Sequence, residues 1–104
     1  MSREDKKVTK NLITEAELRE QIRDLSKIFG WKFWFCWTSI HSPKGMTDLI
    51  LVRPPRIVFA ELKRDSGKLT ESQGEWALLL KACPGVEYYC WRPNEFERIL
   101  EILK

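Results

Sequence analysis

The chain is poor in the residues that bind soft metals or build cross-links. It has a single histidine, His41, and its three cysteines, Cys36, Cys83 and Cys90, form no CxxC pair. That leaves no zinc framework, and free thiols in a reducing compartment are the expectation. No apolar run is long enough to cross a bilayer. The opening MSREDKKVTKN lacks the apolar stretch of a signal peptide. These shortages point to a soluble, intracellular protein without a membrane partner. Hydrophobic content of 43%, with five Trp and five Phe in 104 residues, excludes a disordered chain and suits one domain with its own core.

Charge is weakly biased overall, at +3, but unevenly placed. Residues 32–68 hold seven basic side chains against three acids, and residues 1–14 hold four against two. Such a surplus suits a polyanion, although a solvated face would look the same.

Residues 1–13 read as a flexible basic arm. In TEAELREQIRDLSKIFGW, Thr14 and Glu17 form a capping box, Leu18, Ile22, Leu25 and Phe29 recur at helical spacing, and Gly30 ends the helix. WKFWFCW (31–37) alternates as a strand. Its row Trp31, Phe33, Phe35 and Trp37 could stack bases, but helix-covered core is the expected role. TSIHSPKG is a loop, and two apolar strands then flank Arg53-Pro54-Pro55-Arg56. A second helix opens at Thr70 with Gln73 at its third position, carries Trp76, Ala77, Leu80 and Cys83 on one face, and stops at Pro84-Gly85. VEYYCW (86–91) is a strand, and RPNEFERILEILK a closing helix with Phe96, Ile99, Leu100 and Leu103 as its stripe. The strands around the second helix suit a parallel crossover.

The hairpin poses a chemical question. If its strands pair around a four-residue turn, Val52 faces Ile57, and the same register sets Asp48 opposite Glu61, with Cβ atoms roughly 4.5–5.5 Å apart. Lys63, two residues on, leaves the same face. Ile50, Val52, Ile57 and Phe59 share that face, so the charges border the core. Paired carboxylates repel, and a divalent cation would relieve the conflict. A surface salt bridge of Lys63 with Glu61 is the plainer alternative. Glu15 continues the apolar stripe of the first helix by one turn, or is merely a dipole-friendly helix start. Gln73 is either a capping residue or a contact to the acids, and the residues leave both open.

Asp48, twelve intervening residues, then Glu61-Leu62-Lys63 resembles the PD-(D/E)xK nuclease superfamily. With Glu15, GMTDLILV, FAELK, LTESQGEW and VEYYCWRPNEFERIL, the chain from about Thr14 to its end is similar to a VRR-NUC domain, the virus-type replication-repair nuclease. The resemblance implies an α/β, restriction-endonuclease-like αβββαβ core over residues 14–104, a mixed sheet flanked by helices, with an additional C-terminal helix. It further implies a Mg²⁺- or Mn²⁺-dependent endonuclease of branched DNA, a Holliday-junction resolvase acting as a homodimer in a bacterial or phage-host cytoplasm. A flap or nicking nuclease is the alternative within that chemistry, and a catalytically silent DNA-binding module the alternative outside it. Asp48, Glu61 and the Leu62 carbonyl would hold the metal, with Glu15 as a candidate further ligand; Lys63 would be catalytic, and Glu15 and Gln73 would support the site. His41, Ser42, Lys44, Arg53, Arg56, Arg64 and Lys68 are candidate DNA contacts. The proline that usually precedes the aspartate is Thr47 here, which removes rigidity but no reactive group.

Overall fold

Both capping boxes read from the sequence form. Thr14 Oγ1 accepts from the Glu17 amide (3.0 Å) while Glu17 Oε1 accepts from the Thr14 amide (2.8 Å), which starts α1 (Glu15–Phe29). Gly30 ends it at φ 80°, a left-handed conformation that a Cβ would disfavour. The computed structural model describes residues 13–36 and 43–104, so the basic arm, apart from Ile13, lies outside the described residues.

After α1 come β1 (Lys32–Phe35), β2 (Leu49–Arg53) and β3 (Arg56–Leu62), then α2 (Glu71–Lys81), β4 (Val86–Trp91), a short 3₁₀ turn (Pro93–Glu95) and α3 (Phe96–Leu103). The four strands form one mixed sheet in chain order, with β1–β2 and β2–β3 antiparallel and β3–β4 parallel across α2. This is an α/β fold with an αβββαβ core and an additional C-terminal helix.

The register explains the burial. One sheet face carries Phe35, Leu49, Leu51, Val58, Ala60, Leu62 and Trp91, all buried, and packs with Leu18, Ile22 and Leu25 of α1 and Ile99 and Leu103 of α3. The aromatic row of β1 belongs to that core. Trp31 and Phe35 are buried, Phe33 packs at the edge, and the Arg19 and Arg23 guanidinium groups lie over the Phe35 and Phe33 rings. Trp37 falls outside the described residues.

The opposite face holds Trp34, Ile50, Val52, Ile57 and Phe59, half-buried or exposed, and ends in Glu61. The acids therefore do not border the main core as expected. They stand on the sparser face, part of which α2 covers by packing on β4. The expected apolar face of α2 also shortens: Ala77 and Leu80 are buried, but the helix ends at Lys81, so Cys83 lies beyond its last turn and is exposed. None of the helices is long and apolar enough to cross a membrane among the described residues.

Candidate active site

The β2–β3 ladder runs Arg53↔Arg56, Val52↔Ile57, Leu51↔Val58, Ile50↔Phe59 and Leu49↔Ala60, as the hairpin spacing predicts. Asp48 lies one residue before β2 rather than inside it. Its backbone still pairs, since its carbonyl accepts from the Cys36 amide (3.1 Å). Asp48 Oδ2 then accepts from the Leu62 amide (2.8 Å), so the carboxylate carries the ladder one step further. Charge-assisted bonding of this kind fixes the Asp48 rotamer.

Glu61 is 2% exposed although it sits at the end of a strand. Its cover comes from α2: Gln73 Nε2 donates to Glu61 Oε2 at 2.8 Å. The same glutamine completes its capping box, accepting from the Thr70 amide at 2.9 Å through Oε1 and donating its own amide to Thr70 Oγ1 at 3.2 Å. Both readings of Gln73 hold together, because the two ends of one amide serve different partners. Burial pushes the Glu61 carboxyl up to about 8, and the charge of Asp48, a hydrogen bond to Asp48 and the charge of Glu15 add to the rise, while Lys63 opposes it. Lys63 thus acts on Glu61 through its charge. No ion pair among the described residues joins the two, so the plain salt bridge is not formed.

The loop before Asp48 is held against α2. Trp76 Nε1 donates to the Lys44 carbonyl (3.0 Å). Gly45, at φ 84°, brings its Cα so close to the helix that a Cβ would sit 2.5 Å from the Ser72 carbonyl carbon. Thr47 is buried, and its hydroxyl donates to the Leu49 carbonyl (3.3 Å), tethering the residue before Asp48 to the start of β2. A cleft of about 320 Å³ opens here, lined by Lys44, Thr47, Asp48 and Gln73 among others.

Asp48, Glu61, Lys63 and Gln73 therefore converge, with Lys44 beside them. Arg64 and Lys68 are exposed on the loop after Lys63 and pair with no acid among the described residues. Glu15 is exposed; the buried stripe of α1 begins at Leu18, so Glu15 reaches Glu61 through its charge and not from the core face. His41 and Ser42 lie outside the described residues.

Arg53 and Arg56 are elsewhere. They sit at the turn, about 16 Å along the strands from the acids, and on the core face. Arg53 donates to the Phe29, Leu103 and Lys104 carbonyls (2.8–3.3 Å). Arg56 donates to both Glu87 carboxylate oxygens (2.6 and 2.7 Å) and to the Ile102 carbonyl (3.0 Å). The pair caps the C-termini of α1 and α3 across the Trp31 ring. Their guanidinium groups are committed to the fold.

Two neighbours escaped the sequence reading. Cys90 pairs with Glu61 across the parallel β3–β4 register, and Tyr88, one rung back, shares that face. Burial pushes the Tyr88 hydroxyl up to about 12, helped by the charges of Cys90, Glu61 and Asp48. That buried oxygen has no hydrogen-bond partner among the described residues. Only the β3–β4 register could have found either residue, and a crossover through a helix leaves it unspecified.

Among the described residues, no group of three or more His, Cys, Asp or Glu side chains could hold a metal ion. The acidic donors at this site are thus two carboxylates. Both offer hard carboxylate oxygens, with Asp48 Oδ2 held by the Leu62 amide and Glu61 Oε2 by Gln73. No family model, no curated protein and no solved structure matches the chain.

Proposed function

We propose that the protein is a metal-dependent endonuclease of branched DNA. The observation that carries the reading is the Glu61 carboxyl, buried, hydrogen-bonded by Gln73 and raised to about 8 beside Asp48. A fold does not keep two repelling carboxylates in a half-apolar setting for stability, whereas a hard divalent cation turns the same pair into ligands.

The donor chemistry fits Mg²⁺ or Mn²⁺, which bind through one or two carboxylates and take the rest of their shell from water and substrate phosphate. Asp48, Glu61 and the Leu62 carbonyl would hold the ion, with exposed Glu15 outside that set. When bound, the ion neutralises the paired acids and polarises a phosphoryl oxygen. Gln73 holds Glu61 in place, and the Leu62 amide holds Asp48. Lys63 orients or helps deprotonate a water, or stabilises charge developing on the phosphate. Lys44 in the cleft with Asp48, and Arg64 and Lys68 on the loop after Lys63, are all exposed and suit phosphate backbone.

Within this chemistry the resemblance to VRR-NUC domains favours four-way junctions. Two symmetric cuts require two sites, hence a two-fold dimer. The test is cleavage of end-labelled four-way junction, flap and linear duplex in Mg²⁺, Mn²⁺ and EDTA, with Asp48→Asn alongside. Paired nicks confined to the junction and lost in the variant support the resolvase reading, while cuts on flaps retain the chemistry and change the substrate. Tight DNA binding without cleavage in any metal refutes the reading in favour of a binding module.

A further inference from the structure

The residue after β4 reaches back to the chain that follows Lys63. Arg92 Nη1 donates to the Arg64 carbonyl (2.6 Å) and the Gly67 carbonyl (2.6 Å), with the Asp65 carbonyl at 3.4 Å. The turn it grips closes on itself through the Gly67 amide and the Arg64 carbonyl (3.0 Å), and the Asn94 amide donates to Asp65 Oδ1 (3.4 Å). Exposed turns with one internal hydrogen bond open easily. This one is gripped by a charged guanidinium whose own backbone follows Trp91, 1% exposed in the core.

Lys63 lies between the two anchors. Its amide donates to the Trp91 carbonyl (3.0 Å). Its Cδ stands 3.6 Å from the position of a Cβ on Gly67, so the gripped turn is the wall beside the lysine's aliphatic stem. From this geometry we propose that Arg92 is a positioning residue. It ties the Arg64–Gly67 turn to the core and so holds the Lys63 ammonium where its charge acts on Glu61. The consequence for turnover rests on the nuclease reading above; the consequence for the turn does not.

Arg92→Ala in the full chain tests both parts. Amide exchange of Gly67, measured without DNA or metal, is expected to speed up tenfold or more, with strand amides of β2 and β3 unchanged. In junction cleavage, kcat is expected to fall tenfold or more, because the lost group orients the lysine, whether or not KM also rises through Arg64 on the same turn. Unchanged Gly67 exchange overturns the clamp. Faster exchange with wild-type kcat, or a raised KM at constant kcat, overturns the link to Lys63. If the wild-type protein cleaves nothing, the nuclease reading and the link to turnover fail together, and Gly67 exchange alone decides the clamp. Should Arg92→Ala not fold, Arg92→Gln is read by the same criteria.

Discussion

Gln73 joins two structural tasks through one amide group: its nitrogen donates to Glu61 Oε2 at 2.8 Å while its oxygen accepts from the Thr70 amide at 2.9 Å. The start of α2 and the orientation of the buried acid are thereby one arrangement. A displacement of the helix by an ångström would release Glu61.

The two tasks can be separated by substitution. Gln73→Glu keeps the capping box, since glutamate serves at that helical position, but sets a third carboxylate against Glu61. Its melting temperature should match wild type at pH 5 and fall below it at pH 8. Gln73→Ala loses both contacts and should be destabilised by about 1–2 kcal/mol at either pH, as measured by urea unfolding.

Glu61 makes the protein's stability sensitive to alkali. Its folded value of about 8 lies above the ordinary carboxylate value of 4.5. Between these the folded state holds a proton that the unfolded chain has released, so stability falls as pH rises through that window and levels off above it. The slope is at most about 1.4 kcal/mol per pH unit. Glu61→Gln should flatten the dependence and be more stable than wild type at pH 8. Mg²⁺ or Mn²⁺ should raise the wild-type melting temperature more at pH 8 than at pH 5.5, and not raise that of Glu61→Gln.

Asp48→Asn preserves an oxygen for the Leu62 amide, so the fold should persist. Cleavage should drop at least about 100-fold, on the scale of removing one strong electrostatic contact to a transition state, with DNA affinity by gel shift within a few-fold of wild type. An active Asp48→Asn protein would remove the carboxylate pair from the mechanism.

Arg56→Ala should behave in the opposite way. Arg56 and Glu87 hold each other at 2.6 Å, which keeps the Glu87 carboxyl below its ordinary range, mainly through the Arg56 hydrogen bond. Losing the arginine should cost about 1–2 kcal/mol of stability and leave cleavage per folded molecule unchanged in a single-turnover assay.

Gly45 offers a test of the contact between α2 and the loop before Asp48. A methyl group there would meet Ser72 backbone atoms at 2.5 and 2.6 Å and the Gln73 nitrogen at 2.8 Å, at a φ of 84°. Gly45→Ala should destabilise by about 2–4 kcal/mol, and NMR should show the Gln73 side-chain amide signals moved toward solvent values.

Local rules governed much of this protein, and the sequence alone determined those parts. Thr14 with Glu17 and Thr70 with Gln73 start helices because capping is a matter of three or four residues, and Gly30 stops one because only its backbone accepts the turn. The hairpin register followed from the turn length, since a ladder, once begun at Arg53 and Arg56, advances one residue on each strand. Carried one step past Leu49 and Ala60, that register sets Asp48 opposite Glu61. Tertiary structure decided what depends on partners distant in sequence. Periodicity gave the acids' face but not its cover, so only the packing of α2 showed Glu61 buried and Gln73 serving both ends of its amide. Arg53 and Arg56 look like free cations in a turn until the carbonyls ending α1 and α3 arrive beside them. Glu15 continues a stripe on paper, but burial along α1 begins only at Leu18. Cys90, Tyr88 and Arg92 reach the site through the β3–β4 pairing, whose register no short stretch encodes, because a helical crossover fixes the strands through packing of the whole domain.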